Sequence, residues 1–345
     1  MIVSFCGRVI QVVLLFGPSV TYLTSMREGQ NPAKSIDHVP QPRKITVATA
    51  TYIPYLKGYY AESLEVLKLC LGSIWENTSL KYDLLVFDNH SCPEVQDYLR
   101  NAQDKGLIQY LLLSDKNVGK GGAWNFIFQG APGEVIAYAD SDVLFSPGWL
   151  EQSMEIMETY PNLGMVTSRP LRSPEEYYSK TLEWAEHQSD VIVEKGNFIP
   201  WEVYREHILS LGVSEEQASE WFESKQEWRL TYKGLPAFVS AAHFQFVAYK
   251  SVIQQFLPLE MDRPMGQVRT LDRLINQAGY LRLTTCEPYV KHLGNKMETN
   301  SENIDPVEKP QKFIQNNRLW DLPMIKRSLL SVHDLIFKLY YQRRY

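Results

Sequence analysis

Short apolar runs alternate with segments of helical periodicity through the first half of the chain, and this alternation constrains the fold most. Four such runs predict strands: residues 45–49, 82–87, 108–113 and 134–139. Apolar residues recur at helical spacing in 60–76 and around 94–105. Strands that alternate with helices form a mostly parallel sheet, because a crossover helix carries the chain back to the same edge. We therefore predict an α/β fold with a mostly parallel central sheet and helices on both faces.

The chain divides into three parts by composition. Residues 1–43 combine a short apolar segment with a proline-containing linker, and residues 44–295 carry the strand and helix patterns. Within the latter, a stretch at about 174–235 is acidic, rich in tryptophan and helical in pattern, and we predict a helical insertion there. Residues 296–345 form a tail with a basic amphipathic helix near its end.

Composition excludes several classes of protein. A content of 44% hydrophobic and 22% charged residues is ordinary for a packed globular chain. The formal net charge of -5 argues against a nucleic-acid binder, which would need a basic face to neutralise phosphates. Four scattered cysteines without a CxxC pair predict neither a zinc site nor a disulfide framework, so a reducing cytoplasm fits best.

Two terminal segments leave the relation to a membrane open. The apolar segment Val9–Phe16 ends at Gly17 and Pro18, well short of the roughly 20 residues that a spanning helix needs. We predict that it does not cross a membrane, with a signal peptide as the alternative. The basic helix at 324–345 either docks on the protein's own core or lies at a membrane interface. We expect a cytoplasmic protein, with peripheral membrane contact as an open alternative.

Polar side chains occur where the predicted strands end. Thr49 and Tyr52 belong to the end of the first strand, and Asp88 follows the second. A glycine-rich bend, Asn117–Asn125 (NVGKGGAWN), precedes a helix; it lacks the GxxxxGK[ST] spacing of a P-loop but allows close approach of a ligand. Because open α/β folds bind ligands at the carboxyl edge of the sheet, these segments together predict a binding site there.

Asp140 and Asp142 flank Ser141 directly after the apolar run 134–139. Carboxylate oxygens at such a strand end can bind a hard cation, which in turn can neutralise a bound diphosphate. An isolated triplet of this kind is usually a solvated loop end. Here an apolar strand leads in and a helical pattern at 151–159 leads out, so we favour a metal site.

Taken together, these segments resemble an inverting family 2 glycosyltransferase of the GT-A fold over residues 44–295. The resemblance implies that Thr49, Tyr52 and Asp88 hold the nucleotide, and that Asn117, Gly119 and Asn125 match the NxGxxxxxN pattern. It further implies that Asp140 and Asp142 form the DxD motif, which binds a divalent cation, Mn²⁺ or Mg²⁺, and the donor diphosphate. His292, in the sequence VKHLGN, would complete the metal site.

The resemblance also implies a general base in an acidic pair before a helix that ends in AGY. This chain has Leu271 and Asp272 ahead of Ala278–Tyr280, so one acid of the pair is missing and the spacing is shorter. Asp272 is our first choice for the base, with Asp262 and Glu260 as alternatives. A simple helix-capping role for Asp272 also stays open.

The expected partners follow from the same resemblance. They are a nucleoside-diphosphate sugar as donor and a glycan, lipid-linked or protein acceptor, as in cell-envelope polysaccharide synthesis, with no nucleic acid. A nucleotidyltransferase would carry a glycine-rich basic loop after its first strand, whereas this chain has 49–54 (TATYIP) there. A binding module that has lost turnover is the other alternative, and Leu271 is the residue that favours it.

Overall fold

The computed structural model describes residues 29–261 and 268–295, and within them the predicted α/β architecture is confirmed. Three sequence predictions fall on residues outside these ranges: the apolar segment Val9–Phe16, the basic helix at 324–345 and the alternative base Asp262. No helix in the described ranges is both long enough and apolar enough to cross a membrane.

The described ranges contain a large sheet, a small sheet and their connecting helices. The strands are β1 Ile45–Thr51, β2 Tyr82–Asp88, β3 Tyr110–Leu113, β4 Val135–Asp140, β5 Val143–Phe145, β6 Leu163–Thr167, β7 Val191–Gly196, β8 Glu227–Tyr232, β9 Leu235–Val239, β10 Gln245–Tyr249, β11 Leu281–Thr284 and β12 Val290–His292. The helices are α1 Ser63–Asn77, α2 Pro93–Asp104, α3 Gly119–Gly130, α4 Trp149–Thr159, α5 Ser179–Glu186, α6 Trp201–Ser210, α7 Glu215–Ser224, α8 Lys250–Ile253 and α9 Val268–Gln277.

The large sheet has ten strands in the order β3-β2-β1-β4-β10-β6-β11-β9-β8-β7. Strands β3, β2, β1 and β4 are mutually parallel, and β6 and β11 run in the same direction beyond the antiparallel strand β10. In this register Thr51 lies opposite Asp88, and Ala50 lies opposite Asp140. The carboxyl ends of β1, β2 and β4 therefore meet at one edge, as the sequence predicts.

Both faces of the large sheet are covered by helices. Side chains alternate along each strand, so that Val47 packs with α1, α2 and α4 on one face, while Ala48 packs with α3 and α9 on the other. The parallel strands consequently bury apolar residues on both sides, and β4 is buried from Val135 to Ala139. The small sheet pairs β5 with β12 in antiparallel fashion.

The segment at 174–235 differs from the prediction of a helical insertion. It contains α5, α6 and α7, but β7 and β8 also lie in it and extend the large sheet with β9 as antiparallel strands. The sequence of β7 begins Val191, Ile192, Val193, a run whose branched side chains favour the extended backbone. The helical periodicity of the flanking acidic segments masks this short run.

A glycine in β6 tests how closely α9 packs on the sheet. A Cβ atom added at Gly164 would lie 2.6 Å from Ile275 Cγ2 and from Tyr280 Cβ, both parts of the α9 region. We expect Gly164→Ala to lower the free energy of unfolding by about 1–3 kcal/mol through overpacking, measured by urea denaturation. The matched control is Gly72→Ala in α1, where the new methyl meets no atom within 4 Å. That variant should gain roughly 0.5–1 kcal/mol from helix propensity, and equal effects at both sites would contradict the packing argument.

Candidate functional site

A cavity of about 290 Å³ opens at the carboxyl edge of β1, β2 and β4, and we call it the sheet-edge cavity. Its walls include residues from the strand ends and from the first turn of α3: Thr51, Tyr52, Asn89, Asn117, Lys120 and Asp140. Three of these, Tyr52, Asn117 and Asp140, were predicted from the sequence. The structure brings them together, because the strands that precede them are in parallel register.

An amide network fixes the glycine-rich bend at the wall of this cavity. Asn89 Oδ1 accepts a hydrogen bond from Val118 N (2.8 Å), and Asn89 Nδ2 donates to Asn117 Oδ1 (2.9 Å). Gly119 N also donates to Asn117 Oδ1 (2.8 Å). The φ angle of +72° at Gly119 is one that side-chain-bearing residues rarely adopt, which accounts for glycine here. These contacts hold the N-terminus of α3 at the cavity.

The other predicted nucleotide-binding residues lie outside the cavity wall. Thr49 is fully buried within the sheet. Asp88 is also fully buried, and its carboxylate accepts hydrogen bonds from Ser91 N (3.2 Å) and Gln96 Nε2 (3.0 Å). Asn125 bonds to both the backbone N–H (2.7 Å) and the carbonyl (2.8 Å) of Leu259. In this structure Asp88 and Asn125 hold the loops that carry the neighbouring cavity residues.

Lys120 is a cavity residue that the sequence analysis missed. Its Nζ lies 2.6 Å from Asp140 Oδ2 and 5.4 Å from the centroid of the Trp124 ring. Asp140 Oδ1 accepts a hydrogen bond from the Tyr138 hydroxyl (2.7 Å), and burial raises the pKa of Tyr138 well above its usual value. Asp140 therefore has a hydrogen-bond or ionic partner on each oxygen. The lysine within the NVGKGGAWN segment was the signal that could have revealed it.

The small sheet brings His292 beside Asp142. His292 of β12 lies opposite Val143 of β5, and Leu293 N donates to the carbonyl of Asp142 (2.7 Å). His292 Nε2 consequently lies 3.4 Å from Asp142 Oδ2. Burial raises the pKa of Asp142, although the proximity of His292 opposes this rise. The structure thus places two of the three predicted metal ligands side by side, whereas the third, Asp140, pairs with Lys120 and Tyr138.

The hydrogen bonds around His292 bear on which of its ring nitrogens carries a proton. Ser210 Oγ donates to the carbonyl of His207 (2.7 Å) and lies 3.0 Å from His292 Nδ1. In the tautomer that donates Nδ1–H to Ser210 Oγ, Nε2 of His292 presents a lone pair. A lone pair facing the carboxylate of Asp142 is repulsive unless a proton or a metal cation lies between them.

Two further observations bear on the fit of a cation at this place. Asp142 Oδ1 is buried and has no hydrogen-bond partner among the described residues. His207, whose ring centroid lies 6.4 Å from that of His292, is held neutral because burial lowers its pKa to about 3. One carboxylate and one imidazole suit a transition-metal ion such as Mn²⁺, whereas Mg²⁺ prefers oxygen ligands throughout. No group of three or more His, Cys, Asp and Glu side chains in a metal-binding arrangement occurs within 29–261 and 268–295.

Asp272, the predicted base, is buried in an ion pair. Its Oδ1 contacts Nη2 of Arg282, which is fully buried, and its Oδ2 lies 2.8 Å from His243 Nδ1. Both carboxylate oxygens are therefore engaged. Leu271, at the position where the family pattern has an acid, is fully buried in the apolar layer under α9. The base assignment of Asp272 stays a prediction, and the alternative Glu260 is exposed.

A larger cavity of about 510 Å³ lies elsewhere, between the loop after β6 and the start of β8. Its walls include the buried ion pair of Arg172 with Glu227, together with Lys195 and Trp228. None of the predicted site residues lines it. The strand-end chemistry is concentrated in the smaller, sheet-edge cavity, so we take that cavity as the candidate active site.

Comparison with known families gives a match over the part of the chain that supplies most of the cavity wall. Residues 59–214 match the family model described as glycosyl transferase family 2. This segment of the chain is therefore similar to glycosyl transferase family 2. Most of the cavity wall, from Tyr60 to Asp140, lies inside the matched segment, whereas Asp272 and His292 lie beyond it.

Individual relatives of the chain are distant. An uncharacterized glycosyltransferase of Nostoc sp. (strain PCC 7120) is 26% identical over 100 residues, which cover 29% of this chain and 31% of the relative. Among solved structures, S. aureus TarS 1-349 gives a TM-score of 0.42 at 12% identity, covering 72% of this chain and 60% of TarS 1-349.

A second solved structure is the mannosyltransferase PcManGT from Pyrobaculum calidifontis in complex with GDP-Man and Mn²⁺. It gives a TM-score of 0.43 at 17% identity, covering 71% of this chain and 55% of PcManGT. The aligned part of the chain thus spans less than two thirds of each relative's length.

Removal of the Asp272 carboxylate tests its ion pair with Arg282. We expect Asp272→Ala to lower the free energy of unfolding by about 3–5 kcal/mol, because it leaves the guanidinium of Arg282 buried without its counter-charge. Urea denaturation measures the effect. The matched control is Asp97→Ala, since Asp97 pairs with Arg100 on an exposed face of α2 and its loss should barely move the midpoint. A loss below about 1 kcal/mol for Asp272→Ala would contradict the buried pair.

Proposed function

We propose that the protein is a glycosyltransferase that moves a sugar from a nucleoside-diphosphate donor to a hydroxyl acceptor, with inversion at the anomeric carbon. The observation that carries this proposal is the juxtaposition of Asp142 and His292, together with the sheet-edge cavity that contains Lys120 and Asp140. The acceptor is a glycan, a lipid-linked glycan or a protein. The family 2 match over 59–214 independently supports the proposal of sugar transfer.

The donor diphosphate fits the floor of the sheet-edge cavity. Lys120 supplies a positive charge there, and the N-terminus of α3, which carries a partial positive charge, lies at the same wall. Lys120 and Asp140 form an ion pair at 2.6 Å. A diphosphate would therefore compete with Asp140 for Lys120. In the proposed complex Lys120 therefore turns from the carboxylate to the phosphate oxygens.

A cluster of tyrosines borders the cavity on the side of β1. Tyr52, Tyr55 and Tyr59 each contact the ring of Tyr60 edge to face, with centroids 5.1–6.3 Å apart. Tyr52 and Tyr60 line the cavity itself. Aromatic faces at this position can stack on a nucleotide base, and we assign the base to Tyr52.

The proposed metal site consists of Asp142 and His292, with the remaining ligands from the donor diphosphate and water. A divalent cation bound there would neutralise charge on the departing diphosphate as a Lewis acid. Asp142 would supply its unpartnered Oδ1, and His292 its Nε2 lone pair. Ser210 keeps the His292 ring in the orientation that directs Nε2 toward Asp142.

A binding module without turnover is the second candidate function. The observation that favours it is the state of Asp272, whose carboxylate is buried and engaged on both oxygens. Such a carboxylate is poorly placed to take a proton from an acceptor directly. Donor binding is common to both candidates, whereas donor turnover separates them.

Donor binding in the presence of metal tests the proposal. We would titrate UDP-glucose, UDP-N-acetylglucosamine, GDP-mannose and dTDP-glucose into the protein with Mn²⁺, with Mg²⁺ and with EDTA, and measure Kd by calorimetry. We expect one donor to bind with metal, and Asp142→Ala to weaken its binding at least about 100-fold, since second-shell changes alone cost 10- to 100-fold.

The control variant is Asp115→Ala, which removes an exposed carboxylate from the loop before α3. Its Kd for the donor should equal that of the wild type. If all four donors fail to bind with either metal, or if Asp142→Ala binds as tightly as the wild type, the proposed donor and metal site is refuted.

A further inference from the structure

The tight turn before β10 carries His243 to the carboxyl edge of the sheet. On one side of His243, Ala242 N donates to Thr167 Oγ1 (2.8 Å) at the end of β6. On the other side, the carbonyl of Phe244 accepts a hydrogen bond from Asp140 N (2.7 Å) at the end of β4. The backbone at His243 is thus fixed by both neighbouring strand ends, next to the candidate active site.

His243 and Asp272 differ in their access to solvent. The His243 side chain is 31% exposed, whereas the Asp272 side chain is 4% exposed. His243 Nδ1 lies 2.8 Å from Asp272 Oδ2, and no hydrogen bond to His243 Nε2 occurs within the described residues. His243 therefore lies between the buried carboxylate of Asp272 and the solvent-exposed carboxyl edge of the sheet.

Arg282 fixes the carboxylate behind this histidine. Its guanidinium is fully buried and donates to the carbonyls of Tyr177 and Ala241, each at 2.9 Å, as well as to Asp272 Oδ1. These bonds fix the Asp272 carboxylate with Oδ2 directed at His243 Nδ1. A carboxylate accepts hydrogen bonds, so Nδ1 of His243 carries a proton and Nε2 presents its lone pair to the edge.

We propose that His243 takes the proton from the acceptor hydroxyl and that Asp272 acts as its positioning residue. The inference rests on the proposed function and changes the role of Asp272 within it. A buried carboxylate that orients an imidazole is a known arrangement for proton transfer, and it needs no exposed acid at the position of Leu271.

The step balances without a further reactant. The acceptor O–H bond breaks and its proton goes to His243 Nε2, while an oxygen lone pair forms the bond to the anomeric carbon. The bond between that carbon and the diphosphate oxygen breaks, and its electron pair leaves with the diphosphate. The resulting imidazolium is stabilised by Asp272 and later releases its proton to solvent.

The charged groups around His243 come from three described elements. Asp272 faces it from α9, and Arg282 lies behind Asp272 on β11. Asp140, at the end of β4, is tied to the adjacent residue through the backbone of Phe244. The ring of Phe244 packs against His207 and His292, with centroids 5.2 and 5.7 Å away.

The experiment follows donor binding and donor turnover separately. With the four nucleotide sugars at 10 mM Mn²⁺, we would measure Kd by calorimetry and slow hydrolysis by release of the nucleoside diphosphate, with water as the acceptor. We expect His243→Gln to bind donor within about two-fold of wild type and to lose about 10²- to 10⁴-fold in hydrolysis rate.

Asp272→Asn tests the positioning role. An asparagine can keep a hydrogen bond to His243 but donates it, which puts the imidazole proton on Nε2. We expect normal donor Kd with a hydrolysis rate lowered at least about 10-fold. His187→Gln and Asp97→Asn are the matched controls, because both residues are exposed and remote in sequence from the site. Thermal melts show whether Asp272→Asn folds. If it does not fold, the result for His243→Gln alone tests the proposal.

The outcomes separate the two proposals. A wild type that binds none of the four donors refutes the proposed function and the inference with it. Metal-dependent donor binding with equal hydrolysis rates in wild type and His243→Gln overturns the inference alone. A loss of rate in His243→Gln that is matched by an equal loss of donor affinity also overturns it, because that result indicates a binding role.

Discussion

The register between β1 and its two neighbours is the constraint on which the candidate site depends. Thr51 lies opposite Asp88 on one side, and Ala50 lies opposite Asp140 on the other. A shift of one residue in either pairing would exchange the side chains that pack on the two faces, so the apolar packing on both sides of the sheet enforces the alignment. The core of the protein thereby sets the positions of the polar residues at its edge.

Several residues of the family motifs serve this alignment rather than the cavity. Asp88 accepts hydrogen bonds from the loop that follows it, and Asn125 joins α3 to the chain at Leu259. Asn89 and Asn117 then hold the first turn of α3 against the strand ends. A motif therefore combines residues that build the edge with residues that face the ligand, and sequence alone does not separate the two sets.

Much of the fold could be predicted from the sequence, because strand and helix periods are local properties. Strand β2 and the buried part of β4 are confirmed almost to the residue, whereas β7 was hidden by helical neighbours on either side. The pairing of Asp142 with His292 could be proposed only through a motif, since they are 150 residues apart. The ion pairs of Lys120 with Asp140 and of Asp272 with Arg282 depend on tertiary contacts that no spacing encodes.

The small sheet of β5 and β12 has a consequence for how the protein matures during synthesis. It contributes His292 from the last described strand, while Asp142 comes from the middle of the chain. A nascent chain could complete the central strands and the cavity wall well before this histidine leaves the ribosome. A chain truncated before β12 would therefore keep the wall of the sheet-edge cavity and lack the histidine that the proposed metal site requires.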